Sequence, residues 1–243
     1  MKLQGWELKY QKILKDFNYS RKKDFEAAKI LNSALKKFTL KKLERRIKNK
    51  TVFVVGAGPS LISSIAYLKK FDHTTKIVAD GATKALLERR MRPDIVVTDL
   101  DGNHEFLIRA ASKNAIMIVH AHADNMDKLP IVSSFRSCIG TTEGEPFDKI
   151  RNFGGFTDGD RCVFLARYFG ARKIILFGMD FGTKVGRYSK EGRYDKSTKI
   201  KKLRMAKSLL EWLASKDGTG LYTTSRPIKG FQKIGFRDLQ GMV

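Results

Sequence analysis

The sequence predicts an α/β fold: a doubly wound, mostly parallel sheet with helices on both faces, preceded by an N-terminal helical extension. Three observations carry that prediction. Short apolar runs recur at TVFVV, KIVA, IVVT, IMIVH and KIILF. Stretches of helical length alternate with them. Most of the runs stop at Gly, Asp or His. Parallel strands are covered on both faces and so read as unbroken apolar runs, and β–α alternation at this spacing builds a parallel sheet. Such sheets bind ligands beyond the carboxyl ends of their strands, at a topological switch point.

The elements follow in order. Residues 6–50 contain neither Pro nor Gly, and Leu31, Leu35, Phe38, then Leu43 and Ile47, recur at helical steps. Ser20 is a natural N-cap after Asn18-Tyr19. Residues 1–50 therefore read as a basic helical extension that packs on the body. Residues 51–243 read as one α/β domain, with a core over 51–180 and a C-terminal loop, helix and strand over 181–243. Helices are expected over Leu61–Lys70, Thr83–Arg90, His104–Ser112 and Asp160–Phe169. Residues 181–196 form a polar loop carrying Lys184, Arg187, Tyr188, Lys190, Arg193 and Tyr194. It reads either as a solvated loop or as a lid that closes over a polyphosphate. Ser197 is placed to cap a helix running to about Lys216, with Leu203, Ala206, Leu210 and Leu213 on one face. Leu221–Ser225 reads as a last strand before Pro227.

Composition narrows the class. A chain of 243 residues with 42% hydrophobic content can bury a sizeable core. No apolar run reaches the length of roughly 18 residues needed to span a bilayer. The N-terminus MKLQGWELKYQKIL lacks the apolar core of a signal peptide. Cys138 and Cys162 form no CxxC pair, which fits free thiols in a reducing, cytoplasmic setting. The net charge of +23 is unevenly spread. Residues 1–50 hold 16 Lys/Arg against 5 Asp/Glu, and residues 181–243 hold 15 against 5, while the middle is nearly neutral. Basic ends attract polyanions, whether nucleic acid or a nucleoside triphosphate, and they also simply solubilise. No RNP-type aromatic motif or zinc-finger pattern supports nucleic acid, which stays the weaker reading. The sequence leaves the oligomeric state open; a homo-oligomer is compatible with it.

The chemistry concentrates at strand ends. VADGA delivers Asp80 and VVTDLDG delivers Asp99 and Asp101. At about 4 Å and an effective dielectric near 20, two like charges repel by roughly 4 kcal/mol. A hard divalent cation relieves that repulsion, and Mg²⁺ commonly arrives with phosphates. If the strand continues through them, Asp99 and Asp101 point the same way, about 6.6 Å apart. Helix capping would account for one of the three acids and less well for all of them. Asp94, after Pro93, belongs to the opposite end of its strand. Gly56-Ala57-Gly58-Pro59-Ser60 follows the first strand and opens a helix, so Gly56, Gly58 and Ser60 are candidates to cradle a phosphate or nucleotide. The turn has neither the GK[ST] ending of a Walker A nor the third glycine of GxGxxG. His120, His122, Asp124 and Asn125 cluster in HAHADN. They read as phosphate or substrate contacts, as half of a zinc site, or as a polar loop with local caps. Thr157, Asp158 and Asp160 precede an apolar helix, where capping explains much of the pattern and ligand contact is the alternative.

Taken together, GAGPSL, VADGA, PDIVVTDLDG, HAHADN, FGGFTDGDRC and ILFGMDFG resemble the archaeal-type 6-hydroxymethyl-7,8-dihydropterin pyrophosphokinases, a family related to thiamine pyrophosphokinases. The resemblance spans roughly residues 51–180. The ADGG…PD…GDxDS pattern of the thiamine enzymes is echoed by Ala79–Ala82, Pro93-Asp94 and Thr98–Gly102, with departures at Ala82 and at Gly102, where those enzymes carry Ser. The resemblance implies Mg²⁺-dependent transfer of diphosphate from ATP to a reduced pterin, with release of AMP. It implies Asp80, Asp99 and Asp101 as the catalytic, metal-holding carboxylates. It implies nucleotide or phosphate contacts from Gly56, Gly58, Ser60, Asp80, Gly81, His120 and His122. It implies pterin contacts from Asp124, Asn125, Thr157 and Asp158 or Asp160. A thiamine pyrophosphokinase and a nucleotide-sugar glycosyltransferase are the rival enzymes for this architecture.

Overall fold

The computed structural model describes residues 3–189 and 194–243. The first half runs α1 (Trp6–Phe17), α2 (Arg21–Ala34), α3 (Leu40–Ile47), β1 (Thr51–Val55), α4 (Leu61–Lys70), β2 (Thr75–Ala79), α5 (Asp80–Glu88), β3 (Ile95–Thr98), α6 (His104–Ser112) and β4 (Ile116–His120). The second half runs β5 (Cys138–Thr141), β6 (Ile150–Arg151), α7 (Asp158–Tyr168), β7 (Lys173–Phe177), α8 (Lys196–Lys216), β8 (Leu221–Thr223) and β9 (Gln232–Lys233). Every strand pairing is parallel, and the spatial order is β6-β5-β4-β3-β2-β1-β7-β8-β9. From β1 the chain winds outward to β6, then returns across the sheet to place β7 on the other side of β1. The switch point therefore lies between the C-terminal ends of β1 and β7, where a ligand crevice is expected.

Period-two alternation distributes each strand between two cores. Val52 and Val54 face one layer, with Trp6, Tyr10 and Ile13 of α1, Leu43 and Ile47 of α3, and the apolar residues of α7 and α8. Phe53 and Val55 face the other, with α4 and α5. That second layer continues toward β4 and β5 with α2, α6, Val96 and Met117. The N-terminal helices are thus built into both layers. α1 and α3 lie on one face and α2 on the other.

Several local departures from the sequence reading have simple causes. The strands β6 and β9 are two residues each, and β5 (CIGT) is interrupted by Gly140, so none stands out as an apolar run. The helix expected from Thr83 begins at Asp80. The helix expected from Asp160 begins at Asp158, because Thr157 and Asp160 form a reciprocal capping box one step earlier. Asp195, not Ser197, caps α8 and accepts the Ser197 and Thr198 N–H groups at 2.9 and 3.1 Å. Ser20 does cap α2, accepting the Lys23 N–H. Among the described residues, no helix is long and apolar enough to cross a membrane.

The switch point closes tightly. Gly178 ends β7 with φ +64°, and a Cβ there would collide with the Gly56 carbonyl oxygen. Only glycine lets the two turns touch. Gly178→Ala adds a left-handed penalty and an overpacking penalty, and should lower the unfolding free energy by about 2–4 kcal/mol. Urea unfolding checks this. A loss below about 0.5 kcal/mol would mean that the β1 and β7 turns separate freely.

Candidate active site

The strand register brings the acids together. β2 and β3 are neighbours, with Ala79 opposite Val97, so Asp80 and Asp99 leave adjacent strand ends. α7 packs across β1, β2 and β3 and its first residue, Asp158, reaches the same point. One carboxylate oxygen from each of Asp80, Asp99 and Asp158 lies within 4.8 Å of the others. Asp101, the expected third member, is not in that group. The strand stops at Thr98, and Leu100 turns the chain through φ +65°. The Asp101 carboxylate diverges to Lys128, 2.8 Å from its Nζ. The same-side geometry expected of Asp99 and Asp101 needed a strand that continued, and it does not.

Each carboxylate has its own anchors. Asp80 Oδ2 accepts from Thr98 Oγ1 at 2.5 Å and from the Gly102 N–H at 3.1 Å. A Cβ at Gly102 would overlap Asp80 Oδ1, so the close approach requires glycine. Burial, then the Asp99 charge, pushes the Asp80 carboxyl up to about 7. Burial and the charges of Asp99 and Asp80 likewise push Asp158 well up. Asp99 goes the other way. Desolvation raises it, but His122 and the Asp101 N–H outweigh this and hold it below the usual carboxylate range.

The histidine loop supports Asp99. The Asp124 N–H donates to His122 Nδ1 at 3.2 Å, which leaves the proton on Nε2, 3.7 Å from Asp99 Oδ2. Asn125 is fully buried, and its Nδ2 donates to the Asp99 and His120 carbonyls at 2.7 and 2.8 Å. Its Oδ1 accepts the His122 N–H. Asn125 therefore shapes the loop and has no group left for a substrate, contrary to expectation. Asp124 lies at the exposed rim. Asp160 is also engaged inside the protein, accepting the Phe156 and Thr157 N–H groups and the Thr157 hydroxyl. Its expected substrate role gives way to a capping role, and it takes the Thr157 hydroxyl with it.

Behind this layer His120, already a candidate from the sequence, joins a buried polar group whose other members, Thr141, Glu143 and Arg161, the sequence reading does not single out. His120 Nδ1 donates to Thr141 Oγ1 at 3.2 Å, since that hydroxyl already donates to the Val119 carbonyl. Glu143 Oε1 pairs with Arg161 Nη2 at 3.0 Å, and Glu143 Oε2 lies 3.5 Å from His120 Nε2. The N-terminal helices brace this region. Trp6 Nε1 donates to the Glu143 carbonyl at 2.8 Å. Tyr10 donates to Asp24, whose other oxygen accepts the Ala123 N–H beside His122. Glu143 escapes a sequence reading because it follows β5, a strand with no clear apolar signature.

Two clefts meet at the carboxylates. One, of about 150 Å³, runs along Gly56, Gly58, Gly178, Asp180 and Lys184 to Asp99 and Asp158. The other, of about 70 Å³, passes Asp80, Lys84, Gly102 and Phe106 and shares Gly81, Asp99, Asp101, Asp158, Ser189 and Lys199 with the first. Lys202 lines the first cleft, with its Nζ 5.6 Å from the Tyr19 ring centroid and 6.0 Å from that of Phe156. Of the loop expected as a lid, Gly186 packs on the Ala57 carbonyl, and Tyr188 donates to Glu88 at 2.6 Å. Lys190 and Arg193 lie outside the described residues. Ser60 and Asp180 hold each other, with Asp180 Oδ2 accepting from the Ser60 N–H and Oγ at 2.9 and 3.0 Å. Asp180 carries the same signal as Asp80 and Asp99, a carboxylate just past an apolar strand, and could have been chosen on that basis.

A parallel doubly wound sheet with acids crowded at its strand ends and lysines along the clefts defines a phosphate-handling α/β enzyme. The sequence model of the MptE-like family, described as 6-hydroxymethylpterin diphosphokinase MptE-like, matches residues 26–186. A protein of Pyrococcus furiosus described as 6-hydroxymethyl-7,8-dihydropterin pyrophosphokinase is 47% identical over 222 residues, covering 88% of this chain and 94% of its own. Proteins of Methanocaldococcus jannaschii and Methanothermobacter thermautotrophicus with the same description are each 41% identical, over 89% and 88% of this chain and 97% and 95% of theirs. The chain belongs to the MptE-like 6-hydroxymethylpterin diphosphokinase family. Among solved structures, the MAf glycosyltransferase from Magnetospirillum magneticum AMB-1 shares the fold, with a TM-score of 0.56 at 15% identity over 88% of this chain and 38% of that one.

His120 gives a pH prediction. Burial, then the Arg161 charge, pushes its imidazole down to about 4, from 6.5. Below pH 6.5 the unfolded chain takes up a proton that the folded imidazole refuses, so this residue's contribution to stability falls as pH drops from 6.5 towards 4. The stability advantage of the wild type over His120→Gln, from urea unfolding, should shrink by about 2–3 kcal/mol between pH 7.5 and 4.5. A constant difference would show that the imidazole protonates freely in the folded protein.

Proposed function

We propose that this chain transfers diphosphate from ATP to the hydroxymethyl group of 6-hydroxymethyl-7,8-dihydropterin. The acceptor hydroxyl oxygen attacks the β-phosphorus, the bond from the β-phosphorus to the oxygen bridging it to the α-phosphorus breaks, and AMP leaves with that oxygen. The hydroxyl proton passes to solvent or to a phosphate oxygen. The observation that carries the reading is the convergence of Asp80, Asp99 and Asp158 on one point, between two clefts lined by lysines. It is supported by relatives at 41–47% identity that are described as pterin pyrophosphokinases.

The donor set fits Mg²⁺. Three hard carboxylate oxygens lie close together, and two of the carboxyls are driven toward neutrality by crowding and burial, the state that a divalent cation reverses. Bound there by Asp80, Asp99 and Asp158, Mg²⁺ would neutralise developing charge on the phosphates. The chain's own residues supply the rest. His122 and Asn125 fix Asp99 from the side-chain and backbone directions. Lys199 and Lys202 line the cleft where phosphate oxygens would lie. Catalysis in such a site is mainly positioning and electrostatics, with no covalent intermediate required.

Asp80→Asn, Asp99→Asn and Asp158→Asn should each lower Mg²⁺-dependent AMP release by roughly a hundred- to a thousandfold. Asp101→Asn should lower it by less than about tenfold, because that carboxylate pairs with Lys128 outside the cluster. The assay is AMP formation with ATP, Mg²⁺ and either the dihydropterin or thiamine. AMP formed only with thiamine would replace the pterin reading by the thiamine one. An Asp101 defect equal to that of Asp99 would return Asp101 to the metal set.

A further inference from the structure

Given ATP as donor, the geometry points to where its nucleoside sits. We infer that Asp180 reads the ribose hydroxyls of the nucleotide, and that the Gly56–Ser60 turn is a nucleoside seat and not a phosphate cradle. This rests on the proposed use of ATP and goes beyond it by assigning a specificity residue.

A turn that cradles phosphate must offer unengaged N–H donors. Here all but the Ala57 N–H are engaged. The Gly56 N–H donates to the Phe177 carbonyl and the Gly58 N–H to the Gly178 carbonyl, each at 2.8 Å. Pro59 has no N–H. The Ser60 N–H and hydroxyl both meet Asp180 Oδ2. Ser225 completes the arrangement, with its Oγ 3.0 Å from Ser60 Oγ and accepting the Met179 N–H at 3.2 Å. An anionic oxygen already stands at the N-terminus of α4. A phosphate placed beside it would meet a like charge.

The same crevice suits a ligand that donates. Asp180 lines the first cleft at the switch point between β1 and β7. A carboxylate at that place in a doubly wound sheet is suited to a vicinal diol, the pair of donors a ribose presents. From there the first cleft leads to Asp99 and Asp158 and past Lys199 and Lys202, a path for the phosphates. The donor edge of a pterin is the competing partner for Asp180. In-line transfer sets nucleoside and acceptor on opposite sides of the transferred group, which leaves the second cleft, sharing Asp99 and Asp158, for the acceptor.

The test measures binding and turnover separately on the full chain. Calorimetric titration with ATP, 2′-deoxy-ATP and 3′-deoxy-ATP, without acceptor, reads the hydroxyl contacts directly. The wild type should bind at least one deoxy analogue roughly ten- to a hundredfold more weakly than ATP. In Asp180→Ala and Asp180→Asn the preference should fall to within about threefold. The asparagine variant can still accept from Ser60, so it separates loss of charge at the ribose from loss of the turn. Steady-state AMP release should show the variants' defect in the KM for ATP, with the KM for the pterin unchanged. Retention of the wild-type ribose preference in both variants, absence of any preference in the wild type, or a defect confined to the pterin KM would each overturn the assignment. If the ribose preference depends on Asp180 but no AMP forms with the pterin, the assignment stands and the proposed reaction fails.

Discussion

The structure turns on the mutual repulsion of three carboxylates held at the carboxyl ends of a parallel sheet. Asp80, Asp99 and Asp158 come from a helix start, a strand end and a helix that crosses over the sheet, so no single segment determines their spacing. The register of β2 against β3 and the path of α7 determine it. Without a cation the cluster is a compromise. Thr98 and the Gly102 N–H favour the charged form of Asp80, while burial and Asp99 favour the neutral one and win. His122 lets Asp99 keep its charge. Two neighbours are driven toward neutrality while a third keeps its charge, which is what like-charge coupling at short range demands.

Around that cluster the protein builds outward in layers of hydrogen bonds. Asn125 ties the carbonyls of Asp99 and His120 together, and Asp24 ties the following loop to α2. Tyr10 then ties Asp24 to α1. The helices at residues 1–50 therefore do more than add positive charge. They lie on both faces of the sheet and, through Asp24 and Tyr10, brace the histidine loop. Buried polar networks of this kind hold geometry when fully satisfied. Here they place a half-buried imidazole next to a carboxylate without exposing either fully to water.

Much of the fold was legible because the runs of β1, β2, β3, β4 and β7 are unbroken and rich in branched residues, and α4 and α6 have the bounds their patterns imply. β6 and β9 were not legible, since two residues leave no pattern to read, and β5 was not because Gly140 breaks its apolar run. In the site, strand-end logic finds Asp80 and Asp99, and it points equally to Asp180. It misplaces Asp101, because a positive φ at Leu100 is invisible in a sequence that gives Leu and not Gly there. It misassigns Asn125 and Asp160 for another reason. Both sit where polar residues meet ligands, yet both are satisfied by backbone groups that only the folded chain brings near. Asp158 was read as a ligand contact, and its place beside Asp99 was not legible, since that approach depends on a helix that crosses the sheet.

The distribution of charge at the cleft has a consequence for what the site attracts first. Three helices direct their N-termini toward it, and each already carries a carboxylate. Asp180 sits at α4, Asp80 opens α5, and Asp158 and Asp160 lie in the first turn of α7. The positive ends of helix dipoles are the usual reason that an α/β crevice binds phosphate. In this protein that favourable field acts on the protein's own acids and helps offset the burial of Asp80 and Asp158. The dipoles thus stabilise the charged form of these carboxylates. Attraction for an anion is left to side chains, chiefly Lys199 and Lys202 from the basic C-terminal segment. On the proposed function a polyphosphate would be held between those lysines and a carboxylate-bound cation, since the Gly56, Gly58 and Ser60 N–H groups are already engaged.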